Sequence, residues 1–172
     1  MKIPIVKLNV VKDGEIEYGK RKMSAPDAAV ACIWPLLEGA DREYVIACGV
    51  DTKNKPVYIE RVAVGSADAC ILSAHELFKA ALLCNAMGIF LFHNHPSGET
   101  QPSADDKDMT TRLKLSGELV GVRLIDHIIV GDNGKYYSFR ENKLLKRSRK
   151  TGHRKTQGER GKKNGNDDVG EI

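Results

Sequence analysis

Apolar residues along this chain are grouped in short runs that are separated by turn-forming residues. Runs rich in Val, Ile, Leu and aromatic side chains predict strands at residues 3–11, 44–50, 57–64, 89–93, 122–130 and 136–139. Longer mixed segments between several of these runs predict helices at about residues 25–38, 74–87 and 104–116. Strands interleaved with helices predict an α/β or α+β fold in which helices pack on one β-sheet.

Polar residues at the predicted helix starts support these assignments. Ser24 stands where it can cap the first helix. Ser73 and Glu76 have the spacing of a capping box at the start of the second helix. Ser103 and Asp106 have the same spacing at the start of the third helix. Each predicted helix therefore begins at a residue whose side chain can accept a hydrogen bond from a free backbone N–H group of the first turn.

Composition places the chain among globular proteins. It has 172 residues, of which 41% are apolar, enough for one domain with a hydrophobic core. No apolar run approaches the roughly 20 residues that a membrane-spanning helix needs, and charged residues interrupt the apolar start of the chain as they would not in a signal peptide. We therefore expect a cytoplasmic protein without a membrane partner.

The cysteines are widely spaced, each lies among apolar neighbours, and none forms a C-x-x-C pair. They are Cys32, Cys48, Cys70 and Cys84. This pattern favours reduced thiols in a hydrophobic core over a cysteine zinc cluster or a catalytic thiol.

Positive charge is concentrated near the C-terminus. Residues 143–163 carry a local charge of +9. Because the whole chain carries +4, its remaining residues carry −5. Residues 147–172 contain almost no large apolar side chains and are predicted to be a disordered tail that follows a single domain at residues 1–146. The tail is either a solvated segment or a weak phosphate-binding contact for nucleic acid.

The segment FLFHNHPSGETQPSADD carries the candidate chemistry. His93 and His95 are two residues apart at the end of a predicted strand, so both imidazoles face the same side while Asn94 faces the other. Asp106 begins the next helix and can fold back over the strand end as a third ligand, which leaves a fourth position for water. An H-x-H pair alone is often two ordinary histidines, and the Ser103–Asp106 spacing alone is often a helix cap. Their combination favours a metal site.

The spacing H-x-H-x7-S-x2-D resembles the JAMM motif of JAB/MPN metalloproteases, with His93, His95, Ser103 and Asp106 at its four positions. The text LFHNHPSGETQPSADD, followed by LVGVRLIDHIIV, resembles the RadC-like branch of that family, and the similarity covers roughly residues 20–140. The resemblance implies a JAB/MPN-like, cytidine-deaminase-like fold with a mixed β-sheet flanked by helices. It also implies that Zn²⁺ is held by His93, His95 and Asp106.

The resemblance further implies an upstream glutamate that activates water and a serine that stabilises the oxyanion. Glu43, directly before a predicted buried strand, is the best position for the glutamate, and Ser103 is the serine. The competing acids are Glu38, Glu60 and Glu76.

His127, in the segment IDHIIV, is a further candidate for contact with the metal. We interpret it as a structural histidine or as a hydrogen-bond partner of a ligand, with Asp126 as the group able to hold its other nitrogen.

The favoured function is a zinc-dependent metallopeptidase or isopeptidase that cuts a peptide or isopeptide substrate. The alternative is a RadC-like, DNA-repair-associated or nucleic-acid-binding accessory protein with a structural zinc site. A nuclease and an interaction module are further alternatives, but the former needs more carboxylates than this segment offers, and the latter occurs in MPN domains that lack the ligands.

Overall fold

A computed structural model of the chain describes residues 2–17, 19, 22–65 and 72–145. The regular elements are, in chain order, α1 (Pro26–Leu37), β1 (Tyr44–Val50), β2 (Pro56–Val64), α2 (Ala74–Leu83), β3 (Gly88–Asn94), α3 (Ala104–Val120), β4 (Arg123–Val130) and β5 (Tyr136–Ser138). A single 3₁₀ turn at Asp132–Gly134 connects β4 to β5. Five strands and three helices are thus placed where the apolar pattern predicts them.

The five strands form one mixed sheet in the order β2-β1-β3-β4-β5. The central strands β3 and β4 are parallel, and the other neighbouring pairs are antiparallel. Because parallel neighbours need a crossover, α3 connects the end of β3 to the start of β4. The predicted α/β fold with a mixed, helix-flanked sheet is confirmed.

Side-chain alternation along β3 divides the core into two layers. Every residue of this strand is buried. Ile89 and Leu91 pack with residues of α2 and α3, whereas Phe90 and Phe92 pack with residues of α1. The period of two puts His93 in the first series, on the face that α3 covers.

The predicted strand at residues 3–11 is wrong. The structure has no strand within the described residues 2–17, and the large apolar side chains of residues 3–11 are exposed, Ile5 fully so. A strand needs a hydrogen-bonded neighbour, and alternation alone does not supply one. The local pattern therefore indicates strand propensity but no place in the sheet.

The predicted cap of the first helix is also wrong. Ala25, not Ser24, is the N-cap of α1, and no side chain caps this helix end. The second helix is capped by Ser73 as expected, but it ends at Leu83 because Asn85 adopts the left-handed conformation, with φ 53°. The third helix continues to Val120 and ends at a left-handed glycine C-cap.

The described cysteines agree with the prediction of core thiols. Cys32 and Cys48 are buried, Cys84 is half-buried, and all three are free. Burial raises the pKa of each thiol, which disfavours the reactive thiolate. Cys70 and the predicted tail at residues 147–172 are outside the described residues, and the division into a domain at 1–146 and a tail stays a prediction.

None of the helices in the described ranges combines the length and the apolar character needed to cross a bilayer.

Candidate metal centre

The paired histidines converge at the end of β3. His93 is the penultimate residue of the strand and is fully buried, whereas His95 follows the strand and is partly exposed. Their rings lie 4.8 Å apart, and the two Nε2 atoms are separated by 3.0 Å. The sequence prediction that both imidazoles face one side is confirmed at this strand end.

Asp106 is aimed at the histidines by the helix cap that it shares with Ser103. Ser103 Oγ accepts the backbone N–H of Asp106 at 3.1 Å, and Asp106 Oδ2 accepts the backbone N–H of Ser103 at 2.8 Å. The Ser103 hydroxyl also donates to Asp106 Oδ2 at 2.6 Å. Because Oδ2 is held by Ser103, the other oxygen, Oδ1, faces His93 Nε2 at 3.2 Å. The hydrogen bonds that cap α3 therefore also orient the Asp106 carboxylate toward the histidines.

The three side chains bring their ligand atoms to one point. The nearest ligand atoms of His93, His95 and Asp106 all lie within 4.8 Å of one another. Two tetrahedral bonds of the usual zinc–nitrogen length place their nitrogens about 3.3 Å apart, close to the observed Nε2 separation. Two imidazoles and one carboxylate are a donor set that divalent transition metals bind, so this group can hold a metal ion.

The second nitrogen of each imidazole is already engaged. His95 Nδ1 donates to the backbone carbonyl of Glu99 at 2.9 Å, which leaves its Nε2 as a lone-pair donor. His93 Nδ1 lies 2.8 Å from Nε2 of His127. Both candidate ligand histidines are thus oriented through Nδ1, as metal-binding histidines usually are.

His127 is a partner of a candidate ligand and not a ligand itself. It is fully buried, and its Nδ1 lies 2.6 Å from Oγ1 of Thr110, which also donates to the backbone carbonyl of Asp106 at 2.6 Å. The interpretation of His127 as a hydrogen-bond partner is confirmed, but Asp126 does not hold its ring. Asp126 instead accepts the backbone N–H of His127.

Sequence reasoning missed Thr110. Thr110 comes four residues after Asp106, so both residues lie on one face of α3. Nothing in the sequence connects Thr110 to His127, which is on a strand. The contact exists only because α3 packs on β4.

The electrostatics of the cluster favour a cation. Burial raises the pKa of Asp106, but hydrogen bonds with His93, His95 and Ser103 outweigh it and hold that pKa far below its usual range. The Asp106 carboxylate raises the pKa of His95, with a smaller contribution from the charge of Glu43. Burial keeps the pKa of His127 well below its ordinary value, so this ring is neutral. A negative carboxylate beside two lone pairs is stabilised by a proton or by a metal ion.

Glu43 directly precedes β1, the antiparallel neighbour of β3. In the observed register Val45 is opposite His93, so the same register carried two residues further puts Glu43 opposite His95. Among the competing acids, Glu38 is exposed after α1, Glu60 lies on the edge strand β2, and Glu76 pairs with Lys79. Among these four glutamates, Glu43 is the residue that the strand register places next to the histidines.

A tight turn after the histidines is shaped by Gly98. This residue has φ 76°, and its N–H donates to the carbonyl of His95 at 2.9 Å. Any Cβ here would overlap the Asp132 carboxylate, and any Cβ at Gly131 would overlap the carbonyl of Gly98. Glycines therefore allow the turn to pack directly against the loop after β4.

Comparison with known proteins identifies relatives of this part of the chain. The family model described as "RadC-like JAB domain" matches residues 23–144. The chain is 37% identical over 131 residues to a UPF0758 protein of Methanosarcina mazei, covering 76% of this chain and 57% of that protein. It is 37% identical over 125 residues to a UPF0758 protein of Actinobacillus pleuropneumoniae, covering 73% and 56%, respectively. The chain thus spans about half the length of the curated relatives it matches.

Proposed function

The chain belongs to the RadC-like JAB domain family, and on that premise we propose that it is a zinc-dependent hydrolase, a JAMM-type metallopeptidase or isopeptidase. The observation that carries the proposal is the convergence of His93 Nε2, His95 Nε2 and the Asp106 carboxylate, with both Nδ1 atoms engaged elsewhere. Three protein ligands leave a fourth tetrahedral position for a reactant, which is the arrangement of a catalytic zinc and not of a structural one. The expected cytoplasmic location remains part of this proposal.

We infer zinc because two imidazole nitrogens and one carboxylate form a ligand set of catalytic zinc sites, and because the JAMM resemblance implies this metal. When bound, Zn²⁺ supplies Lewis acidity and lowers the pKa of a coordinated water to roughly 7. The residues of the chain then have to orient the substrate and move protons.

Glu43 is proposed as the general base. Its register opposite His95 supports a position beside the cluster, and its charge contributes to the raised pKa of His95. It takes a proton from the attacking water and delivers it to the leaving amine.

Ser103 is proposed as the donor to the developing oxyanion. In the structure its hydroxyl donates to Asp106 Oδ2, so this role requires the hydroxyl to turn from Asp106 to the substrate oxygen. Rotation about one side-chain bond is sufficient, since Ser103 lies at the exposed start of α3.

The proposed substrate is a peptide or isopeptide whose amide bond lies at the exposed side of the cluster, beside His95 and Ser103.

The first test is metal analysis of the protein and of two aspartate variants. We expect one zinc per chain in the wild type, loss of zinc in Asp106→Ala, and full zinc in Asp105→Ala, which alters an exposed neighbour in the same helical turn. Absence of stoichiometric zinc from the wild type would end the proposal.

The second test is an unbiased peptide and isopeptide cleavage screen, followed by assays of two glutamate variants on any substrate found. Glu43→Gln should keep its zinc and lose hydrolysis, whereas Glu38→Gln, at an exposed site, should keep both. Cleavage by Glu43→Gln at the wild-type rate would show that Glu43 is not the base.

A second candidate function is nucleic-acid binding by an accessory protein with a structural zinc site. It is favoured by the local charge of +9 at residues 143–163. Such binding should be salt-sensitive and should disappear when residues 147–172 are deleted, as fluorescence anisotropy with labelled duplex DNA and RNA can measure. Equal binding by the shortened chain would exclude the tail as the contact.

A further inference from the structure

One continuous chain of hydrogen bonds joins the backbone of α3 to the buried ligand histidine. It passes from the carbonyl of Asp106 through Thr110 and His127 to His93, with separations of 2.6, 2.6 and 2.8 Å. Thr110 is 2% exposed, and both histidines are fully buried. Water therefore does not compete for these groups, and each must be satisfied by its neighbour.

Counting the available protons shows which group donates and which accepts in each of these hydrogen bonds. Thr110 has a single hydroxyl proton, and the Asp106 carbonyl can only accept, so the hydroxyl donates to that carbonyl. Thr110 Oγ1 must then accept from Nδ1–H of His127. With its proton on Nδ1, His127 presents an unprotonated Nε2 that accepts Nδ1–H of His93. Nε2 of His93, which faces the Asp106 carboxylate, is consequently the nitrogen that can give up its proton and offer a lone pair to a metal ion.

The opposite arrangement is incompatible with metal binding. If Thr110 donated to His127, that ring would be protonated on Nε2, and His93 would accept at Nδ1 and carry its proton on Nε2. A protonated Nε2 has no lone pair for a cation. The carbonyl of Asp106 thus selects the arrangement in which His93 can act as a ligand.

We propose that Thr110 and His127 are positioning residues that hold His93 in the tautomer required for metal binding and so set the metal affinity of the centre. Asp106 then acts twice, because its carboxylate faces the metal position and its carbonyl anchors the hydrogen-bond chain. The stack of His127 on Phe139, with ring centroids 4.7 Å apart and planes at 15°, holds the ring in the required plane. This inference goes beyond the proposed hydrolase, since it applies equally to a structural zinc site.

The affinity test compares two neighbouring threonines. Thr110 and Thr111 both donate to the carbonyl four residues earlier, but the hydroxyl of Thr111 is on the exposed side of α3. We expect Thr110→Val to weaken zinc binding about 10–100-fold, the usual effect of losing a hydrogen-bond partner behind a metal ligand. Thr111→Val and the hydroxyl-retaining Thr110→Ser should bind zinc as the wild type does, measured by competition with a chromophoric chelator. Wild-type affinity in a folded Thr110→Val protein would overturn the proposal.

The tautomer test uses the metal-free wild type, so it does not depend on folding of a variant or on any activity. Two-bond proton–nitrogen NMR correlations of the imidazoles should show His127 protonated on Nδ1 and His93 protonated on Nδ1. Finding His127 protonated on Nε2 would overturn the inference even if the protein is a hydrolase. If the wild type holds the expected tautomers but cuts no amide bond, the inference stands and the proposed function fails.

Discussion

Asn94 and Tyr44 are joined by a hydrogen bond that ties the start of β1 to the end of β3, since Asn94 Oδ1 accepts the Tyr44 N–H at 2.8 Å. The amide nitrogen of the same side chain donates to the carbonyl of Arg42 at 2.9 Å. These two bonds hold the backbone on both sides of Glu43. Asn94, which lies between the two candidate ligand histidines, thus fixes the segment that carries the proposed base.

The first prediction concerns this clamp. Asn94→Ala should remove both bonds and raise the hydrogen-exchange rate of the Tyr44 amide roughly tenfold, the effect of losing about 1.4 kcal/mol of local stability. Asn142→Ala, which removes a side-chain bond to the carbonyl of Ser138 instead, is the control and should leave Tyr44 unchanged. Unchanged exchange at Tyr44 in Asn94→Ala would show that the clamp does not hold this segment.

The second prediction separates the two roles of Ser103. Ser103→Ala and Ser73→Ala each remove a helix N-cap, so each should lower the free energy of unfolding of the metal-free protein by about 1 kcal/mol. Ser103→Ala alone removes a donor to the Asp106 carboxylate, so it alone should weaken zinc binding. Urea unfolding and chelator competition measure the two effects. Equal zinc affinity in both variants would contradict the structural contribution of Ser103 to the centre.

The third prediction concerns the turn after the histidines. Gly98 and Gly134 have similar positive φ angles of 76° and 72°, but space is open around Gly134, whereas a Cβ on Gly98 would overlap Asp132. Gly134→Ala should cost about 1–2 kcal/mol from the left-handed backbone alone. Gly98→Ala should cost about 1–3 kcal/mol more, because the Asp132 carboxylate must move. Urea unfolding tests the difference, and equal losses would show that the turn adapts freely.

The fourth prediction is a pH dependence that originates at Asp126. This carboxyl is fully buried, and burial raises its pKa although Ser138 and Arg140 donate hydrogen bonds that oppose the shift. A carboxyl with a raised pKa binds more protons in the folded chain, so its contribution to stability is largest below the unfolded-state pKa and falls as the pH rises through the folded-state pKa.

The stability of the metal-free wild type relative to Asp126→Asn should therefore decrease over a pH interval that begins at about 4, the ordinary pKa of an aspartate. Urea unfolding at each pH gives this difference. An increase over the same interval would mean that the ion pair with Arg140, at 3.8 Å, outweighs burial.

Short stretches of sequence determine most of the helices and strands and the candidate metal cluster. The five strands and three helices follow from alternation and helix caps along the chain, and the cluster of His93, His95 and Asp106 follows from a strand end, a turn and a helix cap contained in fewer than twenty residues. Such features are readable because each depends on neighbours in the chain. The same local rules also predicted a strand at residues 3–11, where no partner strand exists among the described residues.

Tertiary structure alone decided the contacts that connect distant segments. The parallel register of β3 and β4 and the packing of α3 bring His127 to His93 and Thr110 to His127. The antiparallel register of β1 and β3 lets Asn94 clamp the backbone around Glu43. Local spacing in the sequence indicates the candidate ligands. Which element packs against which depends on how their buried faces fit, and no spacing along one element encodes that.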